Sequence, residues 1–241
     1  MKRKPIPILM YHSIDTPPKK NSLRSLYVSK KLFYLQMLIL KLLGYQGMSM
    51  NNLLPYLEGR KIGKVFGITF DDGYKNNLLN ALPILKKFNF TATCYFLSDN
   101  FSGNNYWDID KGFIENKTMS ISDAKKWINE GMEAGSHSVT HSKLSQKNNP
   151  DIRFQVQKSK EDLERKLDTK IEHFCYPYGA FNDSVIKNVE KSGYKTGVTV
   201  ERALFSFGDL YQIPRLFITH RTYPHLLLLK FFTNYERKRK K

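Results

Sequence analysis

Apolar positions along the chain fall into short blocks separated by longer blocks of helical period, and this alternation predicts the architecture. "IPILMYHSI" (residues 6–14) reads as a short buried strand that runs into polar residues, and Pro17-Pro18 with Lys19-Lys20 marks an exposed loop. Ser29 is placed to cap the helix "KKLFYLQMLILKLL" (30–43), and Gly44 to close it. "KVFGITF" (64–70) is the next strand, "NNLLNALPILKKFN" (76–89) a helix, and "FTATCYFLS" (90–98) a strand rich in β-favouring residues. Residues 99–118 form a longer loop carrying Trp107, after which Ser120 or Ser122 can cap the helix "DAKKWINEGMEAG" (123–135). Residues 154–170 read as another helix, 171–179 as a strand, 183–193 as a helix and 194–200 as a strand. The strand-helix unit recurs about six or seven times, which predicts a parallel, barrel-like sheet with helices outside.

The 241 residues suffice for one such domain, and 41% hydrophobic content with 13% aromatics excludes a disordered chain. Lysine and arginine outnumber acids 39 to 22, for a net charge of +17. That excess favours anionic surfaces such as phospholipid, phosphorylated glycolipid or nucleic acid, or else merely solvates the exterior. Cys94 and Cys175 both sit in apolar, strand-like contexts without metal-type spacing, so two buried thiols and no disulfide framework are expected. The basic start "MKRK" precedes only a short apolar run broken by Pro7, too short for a signal-peptide core. No later run reaches the ~18 apolar residues of a membrane span, and a cytoplasmic location is expected.

In a parallel barrel, catalytic groups gather where strands end and loops lead into helices. Four chemically loaded segments fall there: "MYHS" (10–13), "FDDG" (70–73), "GSHSVTH" (135–141) and "YPYG" (176–179). Asp71 and Asp72 could form an ordinary Asp-Gly turn, but two adjacent carboxylates repel unless a cation intervenes. Neighbours on an extended chain point in opposite directions, so one carboxylate can bind a metal while the other acts as a base. His137 and His141 lie four apart; on a helical turn after a helix ending at Gly135, that spacing puts both imidazoles on one side, although a lone histidine is more often structural. With Asp72 they make a set of two histidines and one carboxylate with positions left for water and substrate, suited to hydrolysing carbonyl compounds.

"TFDDG", "SHSVTH" and "YPYG", in this order, resemble the first three motifs of the polysaccharide deacetylase family, metal-dependent carbohydrate esterases that include nodulation-type chitooligosaccharide deacetylases. The resemblance implies a distorted (β/α)7 barrel, with Asp71 as general base and with Asp72, His137 and His141 holding zinc; cobalt, nickel or iron also suit those donors. Pro177, Tyr178 and Gly179 would line the sugar groove. Two departures stand out. Cys175 occupies the place of the arginine that pairs with the base, leaving Arg215 of "IPRLFI" either to tune the site or to lie on the surface. The family's late Leu-x-x-His motif, which supplies the acid, is mismatched in "LFITH", where one residue too many precedes His220. "LMYH" does fit, with Leu9 and His12, and this resembles the branch that deacetylates poly-N-acetylglucosamine of biofilms, with circularly permuted motif order. His12 is therefore the expected acid and His220 the alternative, with Tyr11 and Arg215 counted among substrate-binding residues, and His173 and His225 as structural.

The resemblance implies an enzyme that releases acetate from N-acetylhexosamine units of a glycan or lipid-linked sugar, in surface polysaccharide or lipopolysaccharide assembly. A glycan-binding protein with a decayed site and a basic nucleic-acid-binding module are the rival readings. The first is disfavoured by the intact Asp71, Asp72, His137 and His141, and the second lacks any recognisable motif, so no nucleic acid is expected. Tyr106 and Trp107 either stack on sugar rings or belong to the core. The catalytic domain is expected over 1–225. The segment 226–241, apolar then basic, either lies on an anionic membrane face or packs its leucines on the barrel.

Overall fold

The computed structural model describes residues 4–19, 22–111 and 114–238. In chain order, its strands are β1 (Ile8–Tyr11), β2 (Ser13–Ile14), β3 (Tyr27–Val28), β4 (Gln46–Met48), β5 (Val65–Phe70), β6 (Thr93–Phe96), β7 (Glu133–Ser136), β8 (His173–Cys175), β9 (Thr196–Val198) and β10 (Leu216–Phe217). The helices are α1 (Lys30–Leu42), α2 (Met50–Leu57), α3 (Leu82–Phe88), α4 (Ile121–Asn129), α5 (Asn149–Arg153), α6 (Ser159–Leu167), α7 (Asp183–Lys191), α8 (Pro224–Phe232) and α9 (Tyr235–Lys238). The main sheet is parallel and runs β10-β1-β5-β6-β7-β8-β9, with β4 also on β5. One short segment joins its two edges: Ile213 bridges Val198 of β9, while Leu216 and Phe217 pair with Leu9 and Met10 of β1. The sheet thereby curls into the expected distorted barrel.

Alternation along the strands sorts side chains between two cores. On β5, Phe66, Ile68 and Phe70 face the helices, and Val65 faces the interior with Ile8, Tyr95, Cys175, Val198 and Ile213. Gly67 sits in that second series because space is short: a Cβ there would lie 3.0 Å from both Ile8 and Leu53. Leu53 comes from α2, whose Met50, Leu53 and Leu57 pack into the interior from the N-terminal ends of the strands. The start of α2 is fixed there by Met50 N–H donating to Thr93 Oγ1 at 2.8 Å and Asn51 N–H to the Glu133 carboxylate at 3.0 Å, a favourable placement of negative charge at a helix N-terminus.

α1 has the expected Ser29 cap, which accepts from Leu32 N–H, and α4 has Ser120 in a reciprocal capping box with Asp123. β4 and α2 are additions to the expected elements, α2 because Pro55 and only eight helical residues mask its periodicity. The helix predicted over 123–135 ends at Asn129, because Gly131 at φ +84° reverses the chain; Glu133–Ser136 is strand β7. Helix α8 packs on the barrel: Leu227 and Phe231 are buried, and Phe231 meets Tyr45 edge-on at 4.9 Å. Lys230, also buried, donates to the Phe217 carbonyl at 2.6 Å and pairs with Glu236. Residues 239–241 of the basic tail, Met1–Arg3 of the N-terminal basic stretch and Lys20 of the first loop lie outside the described residues. No helix among the described residues is long and apolar enough to cross a membrane.

Because Leu53 is fully buried in the barrel floor, Leu53→Ala leaves a cavity costing about 2–5 kcal/mol. We expect a lower urea midpoint with an unchanged denaturant slope in equilibrium unfolding followed by circular dichroism.

Candidate active site and metal centre

The strand ends converge on a cavity of about 210 Å³ whose lining includes His12, Asp71, Asp72, His137, His141 and Tyr178. These side chains follow β1, β5, β7 and β8, so the C-terminal edge of the sheet assembles groups up to 166 positions apart, from His12 to Tyr178. Asp71 continues the inward series of β5, and its N–H donates to the Tyr11 carbonyl at 3.0 Å, which holds it beside the end of β1.

Inside the barrel Asp71 meets Arg215. The guanidinium grips the carboxylate with two bonds, Nη1 to Oδ1 at 2.7 Å and Nη2 to Oδ2 at 2.8 Å. Its remaining donors reach the Thr199 carbonyl at 2.9 Å, Thr69 Oγ1 at 3.0 Å and Cys175 Sγ at 3.3 Å. Burial pushes the Asp71 carboxyl up, but Arg215 outweighs it and holds the group below its ordinary value. His12 Nε2 stands 3.9 Å from Asp71 Oδ2, on the cavity side.

Asp72 leaves the strand at φ +72° and turns its carboxylate to the two histidines. His137 Nε2 and His141 Nε2 each lie 3.3 Å from Asp72 Oδ1. Their approach differs from the helical turn expected from the spacing. His137 follows directly on β7, the next three residues form a turn with Ser138 at φ +69°, and His141 itself is at φ +55°. The rings then meet with centroids 4.8 Å apart. Asp72, Ser138, His141 and Tyr178 are four of the eight non-glycine residues with positive φ among those described; each such conformation costs on the order of 1–3 kcal/mol and tends to collect at functional sites.

This donor set fits a divalent cation. His137 Nδ1 is 2.8 Å from the Cys175 carbonyl, which can only accept, so Nδ1 carries the hydrogen and a neutral ring turns its Nε2 lone pair towards Asp72 Oδ1. Two acceptors at that separation repel unless a proton or a metal lies between them. Burial disfavours a charge on His137, yet Cys175 and the Asp72 carboxylate outweigh it and hold the imidazole well above its usual range, whereas at His141 burial prevails and the shift is downward. Asp72, pushed up by burial, is drawn well below the carboxylate range by the two imidazoles wherever a proton lies between ring and carboxylate. The potential ligand atoms of Asp72, His137 and His141 all lie within 4.8 Å of one another.

Several expected substrate contacts lie elsewhere. Tyr11 is fully buried, its hydroxyl donating to Gln36 Oε1 at 2.8 Å, because its position in β1 faces the helices. Arg215, neither on the surface nor in the cavity wall, has its charge consumed by Asp71. Within "PYG" only Tyr178 lines the cavity; Pro177 is buried, and Gly179 is needed at φ +65° where a Cβ would lie 2.3 Å from Val200. His220, after β10, is off the cavity wall that includes His12. His173 is a core residue, with Nδ1 2.8 Å from Thr196 Oγ1 and Nε2 3.2 Å from Glu133. Trp107 and Tyr176 also line the cavity, and Leu23, Ser25, Leu26, Asp108 and Val200 complete the wall without having been singled out, since no local spacing marks loop residues that meet only in the fold.

Residues 58–197 match the sequence model described as polysaccharide deacetylase, a range that contains Asp71, Asp72, His137, His141 and Tyr178 but neither His12 nor Arg215. The putative polysaccharide deacetylase YxkH of Bacillus subtilis is 30% identical over 198 residues, covering 81% of this chain; the chain spans 64% of the length of that relative. A poly-beta-1,6-N-acetyl-D-glucosamine N-deacetylase of Staphylococcus aureus is 26% identical over 211 residues, 83% of this chain and 70% of the relative. Among solved structures, the Streptococcus pyogenes deacetylase PplD in complex with acetate superposes with a TM-score of 0.81 at 26% identity, covering 95% of this chain and 99% of that one. IcaB from Ammonifex degensii, at 19% identity and a TM-score of 0.79, covering 94% of this chain and 97% of its own, shares the fold. With more than half its length matched by the family model, the chain belongs to the polysaccharide deacetylase family.

Proposed function

We propose that this protein is a divalent-metal-dependent hydrolase that removes N-acetyl groups from N-acetylhexosamine units of a glycan and releases acetate. The observation that carries the reading is the placement, in one cavity, of an arginine-clamped carboxylate 3.9 Å from a histidine and next to a carboxylate with two imidazoles. Asp72, His137 and His141 would hold the metal, which when bound polarises the amide carbonyl and lowers the pKa of water. Asp71, kept ionised by Arg215, accepts the proton from the attacking water. His12 delivers a proton to the departing nitrogen as the C–N bond breaks, leaving acetate and a free amine. The acetate in the PplD structure and the substrate named for the S. aureus relative support an N-acetylated glycan as the acceptor, with β-1,6-linked N-acetylglucosamine the first polymer to test.

Acetate release from oligo-β-1,6-N-acetylglucosamine, run beside N-acetylhexosamine lipids, tests both the reaction and the form of the acceptor. No acetate from any of them would remove the enzymatic reading. Chelation should abolish the release and added zinc or cobalt restore it, and Asp72→Ala should fail to retain the metal in elemental analysis.

Asp71→Asn and His12→Ala should each lower kcat by about 10²–10⁴-fold, the range for general acid-base groups, with metal content unchanged. His220→Ala should leave kcat near that of the unaltered protein; a collapse there would reassign the acid.

Arg215→Met strands the Asp71 carboxylate in the interior, and a broken buried pair costs about 3–5 kcal/mol. Because the pair depresses the folded value of Asp71 below 3.8, its stabilisation is present above that pH and is lost as the pH falls through the folded value. In the variant the Asp71 value rises, so the acidic limb of the kcat/KM profile should move to higher pH. A profile that stays in place would mean Arg215 does not set the state of the base.

A further inference from the structure

The two imidazoles of the metal set are held in different ways. On His137 the Nδ1 hydrogen bond to the Cys175 carbonyl fixes both tautomer and ring rotation. His141 lacks such a bond: although buried, its Nδ1 meets no hydrogen-bonding partner among the described residues. What touches its ring instead is aromatic. Trp107 stacks on it with centroids 4.7 Å apart and planes 26° from parallel, and Tyr178 meets it edge-on at 4.4 Å and 71°.

Trp107 is itself anchored, although it stands in a long loop. The neighbouring Tyr106 hydroxyl donates to the carbonyl of Thr140, the residue before His141, at 3.3 Å. Asn105 Oδ1 accepts from Asn116 N–H at 2.8 Å, Asn105 Nδ2 donates to Asp108 at 3.2 Å, and Asn104 bridges Lys117 across the loop. The loop thus delivers a flat, oriented surface to the ligand ring.

We infer that Trp107 is a positioning residue for His141, keeping by ring stacking the imidazole plane that brings Nε2 to Asp72, where no hydrogen bond on Nδ1 does so. An imidazole that gives its Nε2 lone pair to a cation becomes electron-poor, and an indole face carries negative electrostatic potential. The stack is therefore stronger with metal bound than without it, and the difference appears as metal affinity. The indole face turned to His141 is closed to a sugar ring, although Trp107 also lines the cavity. This inference rests on the metal-centre reading above.

The test is titration of metal-stripped protein with zinc in competition with a chromophoric chelator, using the unaltered chain, Trp107→Phe and Trp107→Leu. Leucine keeps apolar contact and removes the aromatic face; it should weaken zinc binding about 10–100-fold, as loss of a residue supporting a metal ligand does. Phenylalanine should stay close to the unaltered protein, and the visible absorption of bound cobalt should change in the leucine variant alone. Should Trp107→Leu fail to fold, Trp107→Met takes its place with the same expectation. Zinc binding by the leucine or methionine variant as tight as that of the unaltered chain overturns the inference, and a raised KM alone would assign Trp107 to the sugar. If the unaltered protein does not bind zinc or cobalt, the metal-centre reading fails and this inference with it. If the unaltered protein binds and the variants bind equally, only the role of Trp107 is lost.

Discussion

The ion pair between Arg215 and Asp71 joins the architecture to the chemistry. Both groups are out of water, and moving a charge inside costs several kcal/mol even after relaxation. Bidentate geometry and partners for the other donors, on Thr69, Thr199 and Cys175, offset that cost. Arg215 stands in the same short segment that pairs with β1 on one side and bridges β9 on the other. Closing the curled sheet and fixing the ionisation of Asp71 are therefore one event: were the segment displaced, the barrel would lose its seam and Asp71 its counter-ion.

The adjoining centre is organised by the opposite condition, an excess of acceptors. A carboxylate oxygen and two imidazole nitrogens converge at 3.3 Å, with the rings buried and the backbone at Asp72, Ser138 and His141 in left-handed conformations. Such an arrangement costs conformational energy locally and persists because the surrounding structure over-determines it. Rigid strands enter from below, the Cys175 carbonyl fixes one ring, and aromatic rings flank the other. In the proposed metal centre a cation would turn that mutual repulsion into coordination.

The two ends of the barrel divide the labour. At the N-terminal end α2 fills the interior with Met50, Leu53 and Leu57, which supplies apolar burial. At the C-terminal end the wall is built of loops, from Leu23 to Leu26 on one side and from Trp107 and Asp108 on another. Loops can vary in length and residue without disturbing the sheet, so on this scaffold the cavity wall can change independently of the barrel.

Much of this was legible in the sequence wherever the information is local. The strand-helix alternation, the Ser29 and Ser120 caps, the doublet Asp71-Asp72 and the pair His137 and His141 each lie within a few residues, where periodicity, capping and donor chemistry operate. The tertiary structure decided what depends on which strands become neighbours. Arg215 finds Asp71 across 144 positions of sequence only because the last strand closes against the first. His12 rather than His220 reaches the cavity, and Tyr11 turns away from it, because the pleat assigns successive residues to opposite faces. The turn that brings the two imidazoles together, the helix that plugs the floor and the tryptophan beside His141 were equally hidden, since each is stabilised by partners that sequence spacing cannot name.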